Sequence, residues 1–447
     1  MDSARQYIDL YHTSKETLCK GSNDVMNALR RSAIQDFAAA GFPTKKAERY
    51  KYTNVAESFA PDYGMNLARV KFPFDPRIAY RCSIPNIGTT VAYMLNDTFC
   101  EIADEAKHYP ENVFIGSIGS YCKLNPERLG KLYGTLAQIQ DAITAFNTAL
   151  AQDGLLIYIP ASVKMEQVVQ IVNLAHSSVD LLTNRRVIII LEDGARASVL
   201  FCEHTMDKCR FLTTSVIEIF IGKGSSLNLY SIDECGENSE LFENIYVKQD
   251  SKSHFEYCNV TLHGGLIRRQ LDQKFAGPNG EANIMGAVIA DGNIRVDNNQ
   301  LIEHAATDCK SEILYKYVLD NNARGAYAGK VLVREGAVGT DSHQSNANLC
   351  VSPTARMFTQ PMLEIYADDV KCNHGSTVGQ LDSNALYYMA ARGIPQEEAR
   401  LLLQRAFVDE VIRQIQLVPL RERLSHMVDQ RFRNNETSCG DCLLCKK

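Results

Sequence analysis

Cys372 and His374 have residue types and a spacing that suit metal chemistry. Leu363–Ala367 alternates apolar and polar residues like a half-buried strand, and we expect this strand to resume through Val370, Cys372 and His374. Their side chains would then share one face, roughly 6.6 Å apart at a rise of about 3.3 Å per residue. They would suit a shared metal or cluster, or Cys372 would be a small core residue.

Three cysteines in the C-terminal tail form a second candidate metal site. Cys439, Cys442 and Cys445 follow a Cys-x-x-Cys-x-x-Cys pattern, which supplies three ligands for zinc or an iron–sulfur cluster. A fourth ligand would come from elsewhere in the chain or from a partner. Thiols in a polar tail also bind metal adventitiously, so both interpretations stay open.

A third set of potential ligands, made of His304, Asp308 and Cys309, is weaker. Its residue types suit a metal, but an isolated spacing of this kind is more often explained by structure.

Composition excludes several classes of protein. The 447 residues include 47 Lys+Arg and 53 Asp+Glu, and a net charge of −6 gives no electrostatic case for nucleic acid as the partner. No apolar run approaches the roughly 20 residues that cross a membrane, and the N-terminus lacks a signal-peptide pattern. Most of the 14 cysteines are scattered, which favours reduced thiols in the cytoplasm.

The first 154 residues read as a helical region. Asp24 is a candidate cap for an amphipathic helix, and a second helix is expected around Leu136–Ala151. The polar run Lys45–Lys51 has the composition of a solvated connector.

Residues 155–380 change to short β-type runs separated by small or polar turns. Gly194, Gly224, Ser251 and Gly280 mark turns spaced by 30, 27 and 29 residues. An approximate period of this length predicts stacked coils, so we expect a parallel β-helix core. An irregular sandwich would give similar runs.

Helices return in residues 381–433, before the cysteine-rich tail at 434–447. Asp382 opens one helix, and the next places Leu402, Ala406, Val411 and Ile415 close to one apolar stripe. This stripe would pack on the protein's own core or bind a partner subunit.

Several of these segments together resemble a known family. The run Asp369–Gly379, followed by Ala385–Met389 and Arg392–Ile394, resembles the SufD members of the SufB/SufD family, which serves the SUF iron–sulfur cluster assembly system. Further matching pieces are Phe42–Asn54, His343–Leu349, Gln360–Pro361 and Leu363–Tyr366. The resemblance spans roughly residues 30–425. One departure is Tyr50, where the family typically has tryptophan.

The resemblance implies a mainly β fold, with a right-handed parallel β-helix between helical N- and C-terminal regions. It also implies a complex with a SufB paralogue, through the β-helix end, and with the ATPase SufC, through residues 385–415. A homodimer is expected when the chain is alone. The family's Cys-x-His-Gly motif corresponds to Cys372 and His374, which places them at the cluster-assembly interface. His343 would line the core or that interface.

The implied function is that of a scaffold subunit that holds a transient iron–sulfur cluster and has no tightly bound cofactor. An ATP-binding Gly-x-x-x-x-Gly-Lys-Ser/Thr loop is absent from the sequence, so ATP hydrolysis would belong to the partner. Two alternatives stay open at this stage. One is a stand-alone β-helix enzyme, such as a carbohydrate lyase or an acyltransferase, and the other is a SufB-like subunit that acts alone.

Overall fold

A parallel β-helix forms the centre of the protein. The computed structural model describes residues 3–70, 76, 90–101, 109–137 and 141–433. The first sheet contains β1 Thr90–Leu95, β2 Thr98–Cys100, β5 Val169–Ala175, β7 Arg196–Thr205, β9 Ser226–Glu234, β11 His254–His263, β13 Glu281–Ala290, β15 Lys310–Leu319, β17 Asp341–Cys350 and β19 Lys371–Gly379. The second contains β3 Phe114–Ser117, β4 Leu155–Ile159, β6 Leu181–Leu191, β8 Phe211–Ile221, β10 Ser239–Gln249, β12 Leu266–Phe275, β14 Arg295–His304, β16 Arg324–Val333 and β18 Arg356–Ile365.

From β4 onward, successive strands alternate between the two sheets, so each coil contributes one strand to each sheet. From β4 onward, every strand pairs in parallel with the strand two places along the chain. The predicted mainly β fold with a parallel β-helix core is therefore confirmed. The β-helix begins earlier than expected, however, because β1 at Thr90–Leu95 already pairs with β5. The first 154 residues thus contain strands as well as helices.

The predicted turn repeat corresponds to a column of residues with left-handed backbone conformation. Gly194 and Gly224 have φ of 71° and 67°, and Lys252 and Asn279 continue the column at 55° and 58°. Each turn is bonded to the next, as in the 2.8 Å hydrogen bond from Gly194 N to Lys223 O. Glycine and asparagine suit these positions because they tolerate positive φ.

The interior of the β-helix is apolar on one side and polar on the other. Ile189, Ile219 and Leu229 lie in the apolar side. On the polar side, the guanidinium of Arg269 contacts both Asp233 and Glu243, with a distance of 3.0 Å to Asp233. Buried charges need such partners because they lose their hydration. The sequence pattern did not predict this polar half.

The N-terminal region packs on the outer face of the second sheet. Its helices are α1 Ser3–Lys20, α2 Asp24–Ala40, α3 Val55–Ser58, α4 Ile118–Leu124, α5 Pro126–Leu132 and α6 Ala142–Leu150. Asn23, one residue before the expected cap, accepts the hydrogen bond from Met26 N. Phe37 and Phe146 form a cluster with Phe242, which faces outward from β10.

The connecting segment, residues 44–54, is exposed over most of Lys45–Lys51, as its composition suggested, but Arg49 and Tyr50 attach it to the β-helix. Arg49 donates two hydrogen bonds, of 2.9 and 3.1 Å, to Asp272 on the outer face of β12. The ring of Tyr50 lies 3.7 Å from the guanidinium carbon of Arg268. Composition did not reveal these two attachments because the partners of Arg49 and Tyr50 are more than 200 residues away in the chain.

The C-terminal helices α7 Ser383–Ala391, α8 Gln396–Ile412 and α9 Val418–Phe432 follow the last strand. α8 and α9 bury apolar side chains against the outer face of the first sheet. Arg431 on α9 holds this contact through two hydrogen bonds, of 3.0 and 2.6 Å, to Asp291. Of the four predicted stripe residues, Val411 and Ile415 are buried, whereas Ala406 is exposed.

Candidate functional site

The C-terminal end of the β-helix is open. In the described part of the chain, β18 and β19 are the outermost strands of their sheets. The free edge of such a strand presents backbone N–H and C=O groups that have no ladder partner. Apolar side chains are also exposed there, including Phe358 at 42%, Tyr366 at 62% and Val378 at 51%. This end therefore suits pairing with another sheet edge.

Cys372 and His374 lie on β19 and point toward the inside of the β-helix. Their register partners on β17, Ser342 and Gln344, are almost fully buried. Paired residues of parallel strands stack on the same face, so Cys372 and His374 share that face. Since β19 is the outermost strand, His374 is exposed and Cys372 is only partly buried.

Leu363–Ala367 and the pair of Cys372 and His374 do not belong to one strand. β18 ends at Ile365, and β19 begins at Lys371 in the opposite sheet. Asp369, with φ of 52°, lies in the turn between them. The single interrupted strand expected from alternation was therefore wrong, because alternation does not reveal a change of sheet.

The thiol of Cys372 is held in its protonated form. Burial raises the pKa of Cys372, and the Asp341 carboxylate raises it further, while a hydrogen bond with the Ser342 backbone acts in the opposite direction. Because a metal is bound by the thiolate, a metal at this position would have to displace the thiol proton.

Polar side chains from the preceding coil form a floor beneath the pair. Gln344 donates hydrogen bonds to Tyr327 Oη, at 3.0 Å, and to Gly329 O, at 3.2 Å. Thr359 Oγ1 donates to Asn346 Oδ1 at 2.8 Å. This floor was not predicted from the sequence. The sequence does carry a signal for it, because every second residue from Gln344 to Asn348 is a polar amide.

Comparison with known proteins shows the family to which this chain belongs. The family model described as "SUF system FeS cluster assembly, SufBD core domain" matches residues 174–407, and "SufBD protein N-terminal region" matches residues 1–171. This chain belongs to the SufBD family. As a SufBD-family protein, it has a role in iron–sulfur cluster assembly.

Relatives of similar length support this membership. A SufBD-family cluster assembly protein of Synechocystis is 24% identical over 437 residues, which cover 95% of each chain. The cluster assembly protein SufD of Escherichia coli is 25% identical over 401 residues, or 89% of this chain and 91% of that protein. SufD of Bacillus subtilis is 24% identical over 295 residues, or 65% and 67% of the two chains.

His304, Asp308 and Cys309 have structural roles in this SufBD-family protein. His304 is buried, with Nε2 2.9 Å from Ser311 Oγ, and burial lowers its pKa to about 4. Cys309 is buried as well, and Asp308 lies in a turn with φ of 58°. Within the described residues, no group of three or more His, Cys, Asp or Glu side chains is arranged to hold a metal ion.

His343 lies on β17 and faces outward, so it does not line the core. Its Nε2 is 3.0 Å from Asp341 Oδ1. A hydrogen bond with Asn373 raises the pKa of His343, and the acidic groups Glu312 and Asp341 also raise it, against an opposing effect of burial. His343 and His374 therefore lie on opposite faces of the first sheet.

Within the expected ATPase-docking region, residues 385–415, the most exposed surface is on α7. None of the α7 side chains is buried, and Tyr387 and Tyr388 are 78% and 59% exposed. Val408 and Val411 of α8 are instead buried against the β-helix. Of the two helices in this region, α7 is thus the more exposed.

The remaining predicted site lies outside the described residues. Cys439, Cys442 and Cys445 are in the tail beyond residue 433. In the part of the chain that the structure describes, no helix is both long enough and apolar enough to span a membrane.

Proposed function

We propose that this chain is a SufD-type scaffold subunit for iron–sulfur cluster assembly. It pairs with a SufB-like paralogue through the open end of its β-helix, and it binds a SufC-like ATPase mainly through α7. The observation that carries the proposal is the coincidence of two free sheet edges with Cys372 and His374 on the last strand. The chain is not an enzyme itself, and the cluster is its cargo.

The donor set supports a shared site. Thiolate and imidazole are both ligands for iron–sulfur clusters, which commonly take four protein ligands. Cys372 and His374 supply two of them, so the paralogue would supply the others across the interface. A cluster shared in this way is released when the two chains separate, and separation would follow from ATP-driven movement of the subunit docked on α7.

The proposal has three further parts: a cytoplasmic location, a role for the tail cysteines and pairing of the chain with itself. The described residues include ten free cysteines, which suits the reducing cytoplasm. The tail cysteines Cys439, Cys442 and Cys445 would bind a metal or cluster in addition to the interface site. Without the paralogue, the open end would pair with a second copy of the chain.

The test is anaerobic co-expression of the full chain with the SufB-like and SufC-like proteins, followed by affinity purification on this chain. Bound subunits, iron and sulfide are measured for the wild type, Cys372→Ala and His374→Ala. Asn373→Ala is the matched control, because Asn373 lies between the two on β19 but faces outward. A fourth variant lacks residues 439–445.

We expect both partners in every preparation, and a loss of at least half of the iron in the Cys372 and His374 variants but not in the control. Iron lost only on deletion of the tail would move the site to the cysteines at 439–445. Recovery of neither partner would contradict the scaffold function and favour a stand-alone β-helix enzyme.

A further inference from the structure

A large cleft lies on the side of the β-helix and reaches Phe358 on β18, but neither Cys372 nor His374 lines it. Its volume is about 1060 Å³, at the upper end of the range for small-molecule sites. Residues 51–54 of the connecting segment form one wall, and the first residues of β14 and β16 form part of the other. The cleft is thus bounded by two structural units.

Arginines are stacked on the β-helix wall. Arg295 begins β14, Arg324 begins β16 and Arg356 begins β18, and the three are register partners in consecutive strands. Neighbouring strands lie about 4.8 Å apart, so the three arginines leave the sheet side by side, although the guanidinium of Arg356 bonds to the backbone of its own turn. Arg295 and Arg324 line the cleft and are exposed. Like charges in this arrangement repel each other.

These cations have no acidic partner within ion-pair distance among the residues that the structure describes, although the charge of Arg295 acts to lower the pKa of Glu240. An ion pair within 4 Å to a described residue is absent for Arg295, Arg324, Lys45 and Lys51, all of which line the cleft. By contrast, two other arginines that line the cleft form ion pairs. Arg210 pairs with Asp180 and Arg431 with Asp291, each at an N···O distance of 2.6 Å.

The carboxylates near the stacked arginines are already engaged or lie farther along the wall. Asp297 accepts a 2.6 Å hydrogen bond from the hydroxyl of Thr53. Glu240 lies on β10, two strands away from Arg295, and bonds to Ser58. Glu57 also lines the cleft and accepts a 3.1 Å hydrogen bond from Asn54. Positive charge at this end is therefore only partly compensated: Arg295 acts electrostatically on Glu240, whereas Arg324 has no ion pair with a described residue.

We propose that this end of the cleft binds a small molecule with two adjacent phosphate groups. A guanidinium binds a phosphate through two parallel hydrogen bonds, and two stacked guanidiniums suit two linked phosphates. An acidic peptide fits less well, because side chains on one face of an extended strand are about 6.6 Å apart, against about 4.8 Å for the arginines.

The aromatic pair at the same end suggests where the rest of the molecule would lie. The rings of Tyr52 and Phe358 are stacked, with centroids 4.8 Å apart, and both line the cleft. Phe358 is partly exposed, so it offers a flat surface to a base. The diphosphate would therefore be free pyrophosphate or part of a nucleotide.

The test is calorimetric titration of the purified full chain with pyrophosphate, ADP, orthophosphate and a hexaglutamate peptide at low ionic strength. The variant is Arg295→Gln with Arg324→Gln, and both side chains are exposed, so the fold should tolerate the changes. Arg196→Gln is the matched control, because Arg196 also begins a strand and is exposed, but does not line the cleft. Thermal unfolding verifies that all variants fold.

We expect saturable 1:1 binding of pyrophosphate or ADP, at least tenfold weaker in the double variant and unchanged in Arg196→Gln. Tighter binding of ADP than of pyrophosphate would identify a nucleotide, and equal binding would identify the diphosphate alone. Absence of saturable binding by either one, equal loss in the control, or tighter binding of hexaglutamate would overturn the proposal. None of these results depends on the assembly of a cluster.

Discussion

The hydroxyl oxygens of Thr359 and Ser376 lie 2.7 Å apart, and this contact joins the last strand of one sheet to the last strand of the other. It keeps β18 and β19 together at the open end, where Val378 is exposed on β19. The end is therefore a preformed surface of two edges, rather than two independent strands.

A charge at this end should prevent pairing without unfolding the chain. We expect Val378→Lys to reduce binding of the SufB-like paralogue at least tenfold, because a lysine in an apolar interface loses hydration without a partner. Light scattering after size-exclusion chromatography of the mixed chains measures the effect. Val179→Lys is the control, since Val179 is 59% exposed but follows β5, near the opposite, N-terminal end of the β-helix. Equal pairing by both variants would contradict docking at the open end.

Removal of the exposed aromatic rings of α7 should weaken binding of the ATPase and leave binding of the paralogue intact. We expect Tyr387→Ala with Tyr388→Ala to weaken retention of the SufC-like ATPase at least tenfold, because exposed tyrosines often dominate binding energies. Pairing with the paralogue should be unchanged. Pull-down with each partner alone measures both, and full retention of the ATPase would exclude α7 as its docking surface.

The ion pair of Arg49 and Asp272 should stabilise the attachment of the connecting segment. Arg49→Ala leaves a largely buried carboxylate without its two charged hydrogen bonds, and we expect a loss of about 2 kcal/mol in the free energy of unfolding. Urea denaturation measures it. Arg5→Ala breaks the exposed pair with Asp9 and should cost less than about 0.5 kcal/mol. Equal effects of the two variants would show that the segment is not fastened by this contact.

The buried imidazole of His304 should make stability fall in mild acid. The unfolded chain binds a proton at this residue below about pH 6.5, whereas the folded chain does so only near pH 4, because burial lowers the pKa of His304 to about 4. Protons therefore favour the unfolded state between these values, and stability is lost as the pH falls from 6.5 to 4. At pH 5 the loss is about 2 kcal/mol relative to pH 7.5.

The comparison for this prediction is between variants rather than between absolute stabilities. Urea denaturation of His304→Gln at pH 7.5 and pH 5 should show a pH-dependent loss smaller by about 2 kcal/mol than that of the wild type. The same substitution at exposed His12 should leave the pH dependence unchanged. If His304→Gln lost as much stability between pH 7.5 and pH 5 as the wild type does, other groups would be the cause of the acid sensitivity.

Local patterns were sufficient for the repeat and for the order of regions. The spacing of Gly194 and Gly224 predicted stacked coils, since each coil needs a turn at the same place and such turns favour glycine. The cap at Asp382 likewise predicted the start of α7, where its side chain accepts a hydrogen bond from Asn384 N at 2.9 Å. Both signals are carried by residues that are neighbours in sequence.

The sequence by itself determined the β-helix, its flanking helices and the shared face of Cys372 and His374, because period-two alternation and turn chemistry act over a few residues. Only the tertiary structure decided that this pair lies at an open end, that Arg49 meets Asp272, and that Arg295 stacks on Arg324. These relationships depend on which coil comes last and on contacts between distant segments. Free edges, buried charges and stacked cations arise only when the coils are assembled.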